Sequence, residues 1–70
     1  MTARFLTLAD VSEILNLSMS ATRSLVTTGE LPAIQIGGKR QWRVEREELE
    51  KFIDRQYAQT RQRIQRNEEL

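Results

Sequence analysis

The chain has 70 residues, with eleven lysines and arginines against ten acids for a formal net charge of +1, and it contains neither cysteine nor histidine. That excludes a Cys/His zinc site, a disulfide staple, thiolate chemistry and His-based acid–base or triad catalysis. Its length sets one small domain, near the lower size at which a single apolar core suffices. No apolar run approaches the ~20 residues that span a bilayer, and there is no signal-peptide apolar region at the N-terminus. The expectation is a soluble cytoplasmic protein with no membrane partner.

Met1 to Leu6 show no strong pattern; Phe5 and Leu6 are expected to cover one end of the core, with Arg4 in solvent. Thr7 is a helix N-cap candidate, with Asp10 three residues on as its capping-box partner. The helix it opens, Leu8 to about Leu15, should turn Leu8, Val11, Ile14 and Leu15 inward. Asn16-Leu17-Ser18 breaks that helix, and Leu17 is expected to plug the turn. Ser18 then caps a second helix, Met19 to about Thr28, closed by Gly29 in the left-handed conformation. Thr22, Leu25 and Val26 should face inward; Ser20, Ala21, Arg23, Ser24 and Thr27 should face out. Two short helices around a tight turn are either a helical hairpin that merely builds a core or a helix-turn-helix whose second helix enters a DNA major groove. An outer face of short hydroxyl side chains plus one arginine suits the second use, because it allows close approach and arginine can read guanine or hold a phosphate.

Leu31-Pro32 leads into two polarity-alternating runs, Ala33 to Ile36 and Gln41 to Val44, around Gly37-Gly38-Lys39. Adjacent glycines tolerate the positive φ of tight turns, so the stretch reads as a two-stranded hairpin. By residue parity Ile34, Ile36, Trp42 and Val44 should form its apolar inner face. The other face then holds Gln35, Gln41 and Arg43, with Lys39 and Arg40 at the tip: a cationic finger, or simply a solvated hairpin. Trp42 reads as core; the competing reading is an exposed aromatic that touches nucleic acid. A third helix should begin near Glu45 or Arg46, with Glu47 and Glu48 in its first turn and Leu49, Phe52 and Ile53 as its core stripe. These carboxylates fit a solvated face better than acid–base work. Beyond it the apolar residues thin to Tyr57, Ile64 and Leu70, too few for a coiled coil. Residues 55 to 66 hold Arg55, Arg61, Arg63 and Arg66 with no acid. The division expected is a domain over 1–54 and a basic tail over 55–70, helical or frayed, acting as a cationic arm or only as a solubilising end.

The ordered series of helix, turn, helix, Gly29-Glu30-Leu31-Pro32-Ala33, the turn Gly37-Gly38, the strand Arg40-Gln41-Trp42-Arg43-Val44 and the helix Glu47-Glu48-Leu49-Glu50-Lys51-Phe52-Ile53 resembles the excisionase-like, MerR-type winged helix-turn-helix domains. The match covers about Thr7 to Ile53. Thr22 stands where such domains often have valine, and Ser24 where a basic residue is common. The resemblance implies an α+β, mainly α fold: two short helices, a two-stranded wing hairpin and a C-terminal helix with an extended tail. It also implies that the second helix enters the major groove through Ser20, Ala21, Arg23 and Ser24, with Thr27 on the same face. The wing would then meet the backbone or minor groove through Lys39, Arg40 and Arg43.

Together these features lead to the expectation of a sequence-preferring double-stranded DNA-binding protein, not an enzyme, without cofactor or metal. It would be a small transcription regulator or an excisionase-like recombination directionality factor, associated with the nucleoid when bound. Few candidate contact residues point to several copies side by side on DNA, and a directionality factor would also meet an integrase. The alternative is a protein-interaction adaptor that uses the basic tail and does not bind DNA specifically.

Overall fold

A computed structural model describes residues 3–66. The elements run in the order β1 (Phe5–Leu6), α1 (Leu8–Leu15), α2 (Met19–Thr27), β2 (Ile34–Ile36), β3 (Gln41–Glu45) and α3 (Arg46–Gln65). This is a small, mainly helical winged helix-turn-helix. Local chemistry sets most of the boundaries. Thr7 and Asp10 form a reciprocal capping box: the Asp10 N–H donates to Thr7 Oγ1 at 3.0 Å and the Thr7 N–H to Asp10 Oδ2 at 3.0 Å. These bonds satisfy donors that a helix start otherwise leaves unpaired. Asn16 ends α1 in the left-handed region at φ 56°, a conformation that asparagine tolerates better than most residues. Ser18 then caps α2 through the Ala21 N–H at 3.1 Å, and Gly29 leaves α2 at φ 82°.

After Gly29 the Leu31 N–H reaches back to the Leu25 carbonyl at 3.0 Å. That return drops the Leu31 side chain, fully buried, among Leu6, Leu8, Val11, Val26, Val44, Leu49 and Phe52. Its central place was not evident from a position beside a proline in a connecting segment. Thr22 is also fully buried, with its hydroxyl donating to the Ser18 carbonyl at 2.9 Å. Ile14, expected inward, is instead 51% exposed. The buried stripe of α1 is Leu8 and Val11 with Leu15 packed against it, and one step of about 100° from Leu15 turns Ile14 to the rim. Leu17, expected as a plug, is likewise an exposed turn residue.

The wing has three strands, not the expected two, in the order β1-β3-β2, all antiparallel. Phe5 pairs with Glu45 and Leu6 with Val44, so the segment before α1 becomes an edge strand. Arg4 closes this end with a 2.9 Å ion pair to Glu45. Across the hairpin Ile34 pairs with Arg43, Gln35 with Trp42 and Ile36 with Gln41. The shared inner face of Ile34, Ile36, Trp42 and Val44 expected from parity is therefore wrong for the two isoleucines. Four residues, Gly37 to Arg40, make the turn, and the Arg40 N–H closes it on the Gly37 carbonyl at 3.2 Å. An even-numbered loop puts residues of opposite parity face to face, and a one-residue slip in register exchanges the faces. Trp42 and Val44 do point inward; Ile34 and Ile36 share the outer face with Gln41 and Arg43 and are about half exposed.

The third helix starts at Arg46, whose N–H donates to the Arg4 carbonyl at 2.8 Å. It runs without a break past Ile53 to Gln65, a rod of about 30 Å at 1.5 Å per residue. Leu49 and Phe52 are buried and Ile53 packs on their margin, whereas residues 59–66 are all exposed. Leu70, the last apolar position of the tail, lies outside the described residues.

Candidate nucleic-acid interface

The outward face of α2 presents Ser20, Ala21, Arg23, Ser24 and Thr27, all exposed. Their orientation follows from the buried pair Thr22 and Val26, four residues apart on the opposite side of the helix. Thr27 Oγ1 donates to the Ser24 carbonyl at 3.2 Å, a local bond that an incoming acceptor can replace. Lys39 and Arg40 stand exposed at the tip of the wing. Arg40 itself has φ 54°, and Gly37 has φ 77°; the left-handed positions therefore bracket the turn and do not fall on both adjacent glycines.

Between α2 and the wing lies a cleft of about 370 Å³ lined by Arg23, Lys39, Arg40 and Arg43 with Leu8, Ala9, Met19, Gln41 and Trp42. Four of the cations anticipated from sequence thus meet in one concavity, and no acid lines it. The ion pairs among the described residues are Arg4 with Glu45 and Lys51 with Glu48, both away from this cleft. Among the described residues Arg23, Lys39 and Arg40 therefore form no ion pair with a carboxylate. In a cleft of one sign of charge the potential is focused, which favours an anionic partner.

Arg43 differs from its neighbours. It is half-buried, and its guanidinium donates to the Trp42 carbonyl at 2.7 Å and to Gln41 Oε1 at 3.3 Å. Held in this way it contributes fixed charge at the wall of the cleft more than a mobile reach to solvent. Ser20, Ala21, Ser24 and Thr27 do not line the cleft; they occupy the adjoining exposed surface of α2. Met19 and Ala9 were not singled out from the sequence, and Gln41 was named only as part of the polar face of the hairpin. Met19 sits at the first position of α2, where the helical stripe gave no reason to pair it with the wing; only the packing of both α2 and the wing on α1 brings it there.

Among the described residues no group of His, Cys, Asp or Glu could hold a metal ion, and no helix is long and apolar enough to cross a membrane. Searches of curated proteins and of solved structures returned no match. A family model described as a helix-turn-helix domain matches residues 5–57, which takes in β1, both helices of the motif, the wing and the first half of α3. The chain therefore belongs to the helix-turn-helix domain family and is a DNA-binding helix-turn-helix protein.

Proposed function

We propose that the chain is a sequence-preferring double-stranded DNA-binding protein in which α2 lies in the major groove and the wing rests on the backbone or minor groove. The observation that carries this reading is the cleft in which Arg23 of α2 meets Lys39, Arg40 and Arg43 of the wing without a lining carboxylate. Helix and wing together offer one cationic concavity bordered by a hydroxyl-rich helix face, which suits a convex, polyanionic duplex. In this reading Arg23, with Ser20 and Ser24 beside it, contacts base edges. Lys39 and Arg40 attract phosphates irrespective of sequence. Its role is that of a small transcription regulator or a recombination directionality factor, and several copies act side by side. Specific protein–DNA interfaces bury about 1,000–2,500 Å² of protein, and single small modules fall below that, so adjacent copies supply what one lacks.

Titration of duplex binding against salt tests the assignment. Lys39→Ala with Arg40→Ala should weaken preferred and scrambled duplexes alike and flatten the salt slope by about one per lost phosphate contact. Arg23→Ala should cost about 1–3 kcal/mol on the preferred site and relax selection at one or two base pairs. An unchanged salt slope in the wing double variant removes the wing from the interface. Equal losses on preferred and scrambled DNA make Arg23 a phosphate ligand instead of a base reader.

A further inference from the structure

Packing does not account for Met19. It is the first residue of α2 and is 43% exposed. It belongs neither to the core cluster nor to the partly buried apolar residues packed against that cluster. Of the large apolar side chains exposed among the described residues, only Met19 lines the cleft with Arg23, Lys39, Arg40 and Arg43. The other large apolar linings are committed to the fold: Leu8 is buried, and Trp42 packs on the core margin. A thioether among these cations leaves apolar surface in water, which a partner with an apolar feature beside its anionic groups would cover.

Helical geometry sets what Met19 can meet. Arg23 follows it by four residues, so the two side chains leave α2 about 40° apart around the axis and about 6 Å apart along it. A duplex rises about 3.4 Å per base pair. With α2 in the major groove and Arg23 at a base edge, Met19 stands within about two base pairs of the base that Arg23 meets. The N-terminal residues of a recognition helix are the ones that contact base edges. Those edges carry hydrogen-bonding groups throughout, with one apolar exception, the 5-methyl group of thymine. An unbranched, polarizable thioether adapts to so small an apolar target.

We propose that Met19 reads thymine: its side chain packs on the 5-methyl group of a thymine within about two base pairs of the base held by Arg23. It thereby adds a selection that the cations of the cleft cannot make, since a guanidinium or ammonium seeks phosphates and acceptor groups. This inference rests on the major-groove placement of α2.

Deoxyuridine in place of thymidine removes the methyl group and leaves base pairing intact, so it isolates the contact. The probe is a duplex selected by the unaltered chain from a random DNA pool, with each thymine replaced singly. At one thymine, within about two base pairs of the position relaxed in Arg23→Ala, replacement should weaken binding by the unaltered chain about fourfold, the worth of one buried methyl group. Met19→Ala should bind the two forms of that duplex equally, a coupling that a double-mutant cycle reads. Met19→Gln, equally long but polar, makes the same comparison should the alanine variant melt early. An unaltered chain indifferent to every replacement overturns the inference and leaves sequence-preferring binding intact. So do variants that still distinguish deoxyuridine from thymidine wherever the unaltered chain does. An unaltered chain that selects no sequence from the pool overturns the placement of α2 and the thymine reading together.

Discussion

Thr22 and Arg40 show how single residues divide between packing and function. Thr22 has no exposed surface, and its hydroxyl is satisfied by the carbonyl one turn back in its own helix. Such back-bonding adds little and can strain a helix, so the position asks chiefly for a β-branched shape. Thr22→Val should fold normally, with a stability change within about 1 kcal/mol and directed toward higher stability; thermal melting measures it. Arg40 shows the reverse compromise. A non-glycine residue at φ 54° carries a steric cost of roughly 1–2 kcal/mol in the left-handed region. Arg40→Gly should therefore raise the melting temperature while it weakens duplex binding at low salt. A variant that melts earlier than the parent would show that the arginine side chain supports the turn. Opposite movements of stability and affinity are what a residue retained for its charge produces.

At the scale of elements, the wing depends on two side chains that enter from the same face of β3. Val44 is fully buried in the core and Trp42 packs on its margin, where it also walls the cationic cleft. Core tryptophan truncations cost ~3–5 kcal/mol, and a partly exposed one belongs toward the lower end. Trp42→Ala should loosen the hairpin from α1 and α2, seen as faster hydrogen exchange of the strand amides before global melting. Wild-type exchange in that variant would mean that Val44 alone anchors the wing. Leu31 holds the connection from α2 to β2 from within the core, with no exposed surface. Leu31→Ala should cost about 2–5 kcal/mol, comparable to the whole stability of so small a domain, and circular dichroism at 25 °C should show a largely unfolded chain. That would make it more damaging than Ile14→Ala, since Ile14 is half in solvent already.

The whole molecule is extended by α3. Its radius of gyration is 13.6 Å, against about 11 Å for a compact chain of 70 residues. The excess comes from the distal turns of α3, where Tyr57 and Ile64 are exposed and Arg61 and Arg63 make no ion pair among the described residues. Arg55 at the base of this segment donates to the Glu30 carbonyl at 3.4 Å and lies 6.0 Å from the Phe52 ring, so the projecting part begins after it. Removal of residues 59–70 should leave the melting temperature nearly unchanged, because Leu49, Phe52 and Ile53 remain. It should lower duplex affinity most at low salt, where unscreened arginines act over the longest range. Equal affinity of the shortened and full chains at low salt would show that the distal helix takes no part in binding.

Sequence by itself determined what depends on near neighbours. The Thr7–Asp10 capping box, the Ser18 cap, the left-handed Gly29 and the span of α1 follow from interactions within a few residues, and each lies where its side chains direct. The outward cations of α2 and of the turn were legible for the same reason: helical period and turn chemistry settle which side chains stay in solvent. Tertiary structure alone decided the register of the wing. That register rests on whether the turn holds an odd or even number of residues, and alternating polarity of Ile34-Gln35-Ile36 and Gln41-Trp42-Arg43 fits either choice. The packing of Trp42 and Val44 on the helices resolves it, and so leaves Ile34 and Ile36 outside. Likewise no local signal pairs Phe5 with Glu45 across forty residues of chain, or draws Leu31 to the centre of the core. The cleft shared by Arg23 and the wing cations exists only once both elements have docked, because it is a property of their separation and not of either stretch.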